Sequence, residues 1–138
     1  MRPLPSEVIA GVRRILKETI EPELTSGHAK SRLSEIRGVL AQVDWDDVGF
    51  VLAARNRSLA GALVDIEAWR AADPARAAAF PGTETGLPDE DTLAAHQESY
   101  RRLAAAAVAL VDPFGHWLAA HPSDVRAREL RQGLLGAL

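Results

Sequence analysis

Apolar residues recur every three or four positions over residues 44–72, which is the spacing of one buried face along a long helix. The recurring positions are Trp45, Val48, Leu52, Arg55, Leu59, Ala62, Ile66 and Trp69. Only Arg55 among them is charged, and a guanidinium in a core needs an anion, a polar partner or water, because an unpaired buried charge is very costly. The pattern predicts a helix of about 28 residues, roughly 40 Å long, with an unusual polar group on its buried face.

Four further segments have the same helical spacing of apolar residues. They predict helices at about residues 7–20, 26–43, 89–121 and 124–135. Ser6, Ser26, Asp44 and Ser123 are the expected N-caps, because short polar side chains accept hydrogen bonds from the free N–H groups of a first turn. Pro113 is expected to kink the fourth helix or to restart it.

Residues 74–88 lose this periodicity and are interrupted by Pro and Gly, so they predict a long loop with a short Ala-rich turn at 75–79. Loops of this length are functional, disordered or merely connecting. The very short connection near residue 44 makes the flanking helices antiparallel neighbours. With no strand signal of useful length, we expect an all-α protein. Residues 1–138 would form one domain, an antiparallel four- to five-helix bundle with one long central helix.

Composition narrows the functional classes. The 138 residues include no cysteine, which excludes disulfides, thiolate catalysis and cysteine metal sites. The net charge of −3 gives no basic excess for nucleic acid. No stretch approaches about twenty uncharged apolar residues, and the N-terminus lacks a continuous apolar signal core. We therefore expect a cytoplasmic protein with neither a nucleic-acid nor a membrane partner.

Two groups of residues could carry chemistry. Arg55 and the adjacent Asn56 form the first, where a fixed cation could bind a phosphate or carboxylate or pair with a partner protein. The alternative is an internal ion pair, or a guanidinium that reaches solvent beside the buried face. His96 and Tyr100 form the second, four apart on one helix face, where histidine could act as acid, base or ligand. The alternative is a histidine at the core edge, bonded to a backbone carbonyl.

Sequence motifs typical of metal sites and of catalysis are missing. His116 and His121 are five residues apart and so lie on different helix faces, whereas metal-binding pairs on one helix need a spacing of three or four. No phosphate-binding glycine motif, nucleophile elbow or Glu-x-x-His signature is present. We expect no catalytic residue, no metal site and no cofactor.

The first third of the chain resembles the opening of a family of small helical proteins of unknown function. The resemblance lies in Leu4-Pro5-Ser6, Ile20-Glu21-Pro22-Glu23-Leu24, His28-Ala29 and Arg32-Leu33. Some members of that family are accessory subunits of aminoglycoside-phosphotransferase-like kinases that act on hydroxyacyl-CoA compounds. The resemblance implies a role in binding a protein partner, such as a kinase-like enzyme, and implies nothing about catalysis.

Two hypotheses for function remain open. The first is a non-enzymatic interaction or accessory protein that binds its partner around Arg55, through loop 74–88, or through both. The second is a small-molecule binding bundle or minor enzyme, in which Arg55 holds an anionic group and His96 and Tyr100 line the pocket. Convergence of these three residues on one cavity would favour the second hypothesis. The long central helix also favours a homodimer, because it leaves apolar surface to cover.

Overall fold

The computed structural model describes residues 2–138, and over that range the regular secondary structure is entirely helical. Its helices are α1 (Pro5–Ile15), α2 (Gly27–Gln42), α3 (Val48–Ala71), α4 (Pro74–Ala79), α5 (Leu93–Ala109), α6 (Val111–Ala120) and α7 (Val125–Ala137). The predicted all-α fold class is confirmed. The chain divides into two compact units, unit 1 up to Phe50 and unit 2 over Val51–Leu138. The single domain and the bundle arrangement stay predictions.

The start of unit 1 differs from the prediction in the role of Ser6. This residue lies inside α1, where its hydroxyl donates to Asp46 Oδ2 at 2.6 Å and its N–H donates to Asp46 Oδ1 at 3.0 Å. Ser6 therefore ties α1 to the turn before α3 and does not cap the helix. The free end of α1 is satisfied by Glu7, whose carboxylate accepts the Leu4 N–H at 2.9 Å. Past α1 the chain continues in a π turn (Leu16–Ile20) and a 3₁₀ turn (Glu21–Glu23).

The second helix of unit 1 follows the prediction, but the start of α3 does not. Ser26 caps α2, accepting the Ala29 N–H at 3.3 Å. Residues 44–47 form a turn before Val48, so Asp44 does not begin a helix. The Trp45 indole N–H donates to the Leu40 carbonyl at 2.9 Å and fixes this turn. Within residues 2–50 the one buried side chain is Leu33, so unit 1 has very little core of its own.

Unit 2 has a continuous core formed by α3, α5, α6, α7 and one residue between α4 and α5. Its largest members are Leu59, Leu63, Ile66, Trp69, Phe80, Leu103, Leu110, Phe114, Leu130 and Leu134. Phe80 packs edge to face on Trp69 and on Phe114, with ring centroids 5.1 Å and 4.8 Å apart, and Trp69 and Phe114 stack with centroids 5.8 Å apart. The predicted buried positions Leu59, Ile66 and Trp69 on α3 are confirmed.

The first half of α3 is rotated relative to the prediction. Its buried positions are Ala53, Asn56 and Ala60, one residue on from the expected Leu52, Arg55 and Leu59, although Leu59 is also buried. One residue is a rotation of about 100° around a helix. The expectation of a guanidinium in the core is therefore wrong, because Arg55 is exposed and the wholly buried polar side chain is its neighbour Asn56.

Most of the helix boundaries after residue 72 lie close to the predicted positions. The chain turns at Leu110 and restarts as α6, as Pro113 predicts. Asp124 caps α7 in place of Ser123, accepting the Ala127 N–H at 2.9 Å and, through Oδ2, the Trp117 indole N–H at 2.9 Å. The Ala-rich turn predicted at 75–79 is the short helix α4. Phe80, 2% exposed, anchors the segment that follows it.

The segment Leu93–Ala120, which comprises α5 and α6, is long and apolar enough to cross a membrane by length and composition alone. This is weak evidence, because helices from the cores of proteins outside membranes pass the same test. Leu103, Ala107, Leu110 and Phe114 of this segment lie in the core of unit 2. The expectation of no membrane partner stays a prediction.

Candidate functional site

The three residues that the ligand hypothesis places in one pocket are separated in unit 2. Arg55 lies in one groove, His96 lines a different cavity, and Tyr100 lines neither. Tyr100 is half-buried and packs against the hydrophobic core instead. The geometry therefore does not give one pocket containing a cation, a histidine and a phenol.

The groove at Arg55 has a volume of about 480 Å³ and is bounded by one face of α3 and the end of α7. Its lining residues are Val51, Ala54, Arg55, Ser58, Gly136, Ala137 and Leu138. The α3 residues are spaced by three, one and three, which places them side by side on the helix surface. Arg55 forms no ion pair within residues 2–138 and lines an open, mostly apolar groove, so its guanidinium has N–H donors for a further partner.

His96 is held from both sides of its ring. Nε2 lies 2.8 Å from Asp91 Oδ1, and Nδ1 lies 3.3 Å from Nδ2 of Asn56. The same Asn56 amide donates to the His96 carbonyl oxygen at 2.9 Å. Since the carbonyl can only accept, the amide nitrogen must face it, and the imidazole Nδ1 beside that nitrogen must accept as well. This network assigns the ring proton to Nε2, where it is donated to Asp91.

The predicted alternative for His96 is a histidine at the core edge, bonded to a backbone carbonyl. His96 is half-buried, but its ring bonds to the side chains of Asp91 and Asn56 and, within residues 2–138, to no backbone carbonyl. Asn56 is 0% exposed, and its Oδ1 has no hydrogen-bond partner within residues 2–138. A buried oxygen without a hydrogen-bond partner destabilises the folded state, so the contribution of the Asn56 amide comes from the bonds that its Nδ2 donates. Asn56 therefore positions the imidazole ring. The sequence grouped Asn56 with Arg55 and His96 with Tyr100, whereas the structure pairs Asn56 with His96.

The cavity beside His96 is small, at about 190 Å³, and is closed by residues 87–91. Arg57 and the Asp89-Glu90-Asp91 run supply its charges. Sequence reasoning missed Asp91 and Arg57, since the acidic run was interpreted as the start of a helix. Asp91 is 99% exposed, so water competes for its bond to His96. No serine, threonine or cysteine lines this cavity, and no group of three metal-ligating side chains occurs in the part of the chain described.

Unit 1 exposes a stripe of large apolar side chains along α1. Leu4, Val8, Val12 and Ile15 are 40–55% exposed, and no residue of α1 is buried. The apolar spacing of the first helix predicts a wider stripe that touches two neighbouring helices. Its members are Val8, Ile9, Val12, Ile15, Leu16 and Ile20. The half-buried positions of α1 are Ser6, Ile9, Gly11 and Arg13, and Leu16 of the following π turn is half-buried as well. An apolar helix face of this kind is typical of an interaction site.

No protein family, curated protein or solved structure matches this chain.

Proposed function

We propose that this protein is a non-enzymatic helical interaction protein, an accessory subunit that binds a protein partner in the groove around Arg55. One observation supports this above all: Arg55 is an exposed guanidinium without an ion pair in the described chain, set in an apolar groove of about 480 Å³. Arginine is, with tryptophan and tyrosine, one of the residue types enriched among those that dominate the energetics of an interface.

The shape of the groove favours a protein over a small molecule. Small-molecule sites enclose most of the ligand surface, whereas this groove is open along its length. A partner helix could cover Val51 and Ala54 with apolar side chains while one of its carboxylates pairs with Arg55 through two parallel hydrogen bonds. The separation of Arg55 from His96 and Tyr100 supports the same choice.

The resemblance of the first third of the chain adds a class of partner to the proposal. Its family includes accessory subunits of phosphotransferase-like kinases, so the proposed partner is a kinase-like enzyme. The resembling residues lie in unit 1, whereas the groove lies in unit 2, so the partner class and the binding surface rest on independent grounds.

The test is capture of the partner from an extract of the native host with three immobilised variants. Arg55→Leu removes the charge, Arg55→Lys keeps it without the bidentate geometry, and Arg126→Leu is the matched control on the exposed surface of α7. We expect a kinase-like enzyme to bind wild type and Arg126→Leu, to bind Arg55→Lys weakly and not to bind Arg55→Leu. Capture that is unchanged by Arg55→Leu, or capture of no protein at all, would refute the proposal.

Arg55 also favours one second candidate, a small anionic ligand in the same groove. A guanidinium without an internal partner binds phosphate or carboxylate groups of free molecules as well as those of proteins. Calorimetric titration with inorganic phosphate and with citrate tests this directly. Saturable binding that is lost in Arg55→Leu would favour the ligand, and absence of binding would leave the protein partner as the better account.

A further inference from the structure

The exposed surface of α1 contains a saddle of about 400 Å³ whose lining residues all come from that helix. Ala10 and Gly11 form its floor, and the longer side chains of Glu7 and Arg14 form its two ends. The four residues are spaced by three, one and three and so share one face of the helix. This face has small residues at its centre and one charge of each sign at its ends.

The floor of the saddle is open enough for another backbone to approach closely. A Cβ added to Gly11 would meet no atom within 4 Å, so packing within the chain does not require glycine at this position. Small residues at the centre of a helix face are what allow two helices to pack at short interaxial distances.

The exposed apolar stripe of α1 runs beside this saddle. Leu4, Val8, Val12 and Ile15 make up the stripe, and Gly11 lies between it and the charged ends. A partner that fills the saddle would also contact the edge of the stripe at Leu4 and Ile15, whereas Val8 and Val12 lie about 110° and 150° around the helix from the centre of the saddle at 100° per residue. Such a partner has to match both the apolar side chains and the order of the two charges.

The order of the charges selects the partner. Glu7 and Arg14 lie equally far, about 5 Å along the helix axis at 1.5 Å per residue, from the midpoint between Ala10 and Gly11. A second α1 related by a two-fold axis through that midpoint runs antiparallel, and it places each Glu7 opposite Arg14 of the other copy. A parallel arrangement would place like charges together. Within residues 2–138 neither side chain has an ion pair that would compete.

We propose that this chain forms a homodimer through antiparallel pairing of α1 with α1 of a second copy, centred on Ala10 and Gly11. The surface is self-complementary, as a two-fold interface requires. The two Glu7–Arg14 pairs fix the direction of the helices. Ala10 and Gly11, with Leu4 and Ile15 at the edge, supply the apolar contact. This inference is independent of the groove around Arg55, because it uses a different helix and different residues.

The test is sedimentation velocity over a range of protein concentrations, with charge-reversal variants. We expect Glu7→Arg and Arg14→Glu each to raise the dimer dissociation constant about tenfold or more, because both charge pairs become repulsive. An equal mixture of the two variants should dimerise again, since each attractive pair is then restored between unlike chains. Glu23→Arg makes the same charge change outside the saddle and should dimerise like wild type.

Two results would overturn the proposal. One is a wild-type chain that stays monomeric at high micromolar concentration, and the other is a mixture of single variants that dimerises no better than either alone. Glu7→Arg also removes the acceptor of the Leu4 N–H, so circular dichroism must show each variant folded. Gly11→Lys tests the same interface if a charge-reversal variant does not fold. It favours the helix, places charge and bulk at the two-fold axis, and should give a folded monomer.

Discussion

Phe80 offers the sharpest test of the core of unit 2. It lies outside every helix, in a segment with no apolar periodicity, yet it is 2% exposed and contacts the rings of Trp69 and Phe114. Phe80→Ala should remove most of a buried aromatic side chain and leave a cavity, which costs about 3–5 kcal/mol in well-packed cores. The edge-to-face ring contacts contribute about 0.5–1.5 kcal/mol each within such totals. A loss of this size is a large share of the stability of a small domain.

The assay is urea unfolding followed by tryptophan fluorescence, since Trp69 and Trp117 both lie near Phe80, with ring centroids 5.1 and 5.8 Å away. Phe50→Ala is the matched control, because Phe50 is 70% exposed and its truncation should change the free energy of unfolding by less than about 0.5 kcal/mol. A loss below about 1 kcal/mol for Phe80→Ala, or equal losses for both variants, would refute the placement of Phe80 in the core.

Three further predictions concern polar groups. Hydrogen bonds from Ser6 hold the pKa of Asp46 below its ordinary value. The contact between Ser6 and Asp46 should therefore stabilise the fold above about pH 4, and this stabilisation should be lost as the pH falls through the lowered pKa. Asp46→Asn should abolish this acid dependence, measured as amide exchange at Ser6. Asp124→Ala should destabilise α7 by about 1–2 kcal/mol in thermal unfolding, whereas Ser123→Ala, at the residue expected to cap α7, should be nearly silent. Asn56→Leu should lower the free energy of unfolding by about 1–3 kcal/mol, because the carbonyl oxygen and Nδ1 of half-buried His96 lose their donor, and a cost below about 0.5 kcal/mol would contradict this.

The parts of the fold that periodicity predicts are those where only one helix face is apolar. In the second half of α3 the expected positions Ile66 and Trp69 are buried. Helix ends were also predictable where a capping residue has one clear position, as at Ser26.

The phase of the first half of α3 could not be predicted from the same pattern. Residues 48–54 are apolar or small on all sides of the helix, so the spacing rule allows more than one buried face. The structure buries Ala53 and Asn56, where small side chains and a hydrogen-bonded amide permit it, and leaves Arg55 in solvent. Arg55 stays a candidate binding cation although the buried face of α3 differs from the predicted one. The prediction that Arg55 is buried is wrong.

The contacts of His96 also could not be predicted from the sequence. The Asp91–His96 bond depends on the conformation of the chain just before α5, and the Asn56–His96 bond joins residues forty positions apart. Neither contact follows a helical spacing, so no periodic pattern indicates it. Phe80 has the same character, since its burial depends on how residues 74–92 fold back onto α3 and α6.

The most direct test of the proposed function is the affinity of the captured partner for purified Arg55 variants, measured beside the stability of each variant. We predict that Arg55→Leu weakens partner binding by about thirtyfold or more, which is the loss expected for an arginine at a binding hot spot. Its free energy of unfolding should stay within about 0.5 kcal/mol of wild type, because the side chain is exposed and unpaired. Unchanged affinity, or a loss of affinity that only parallels a loss of stability, would contradict the account.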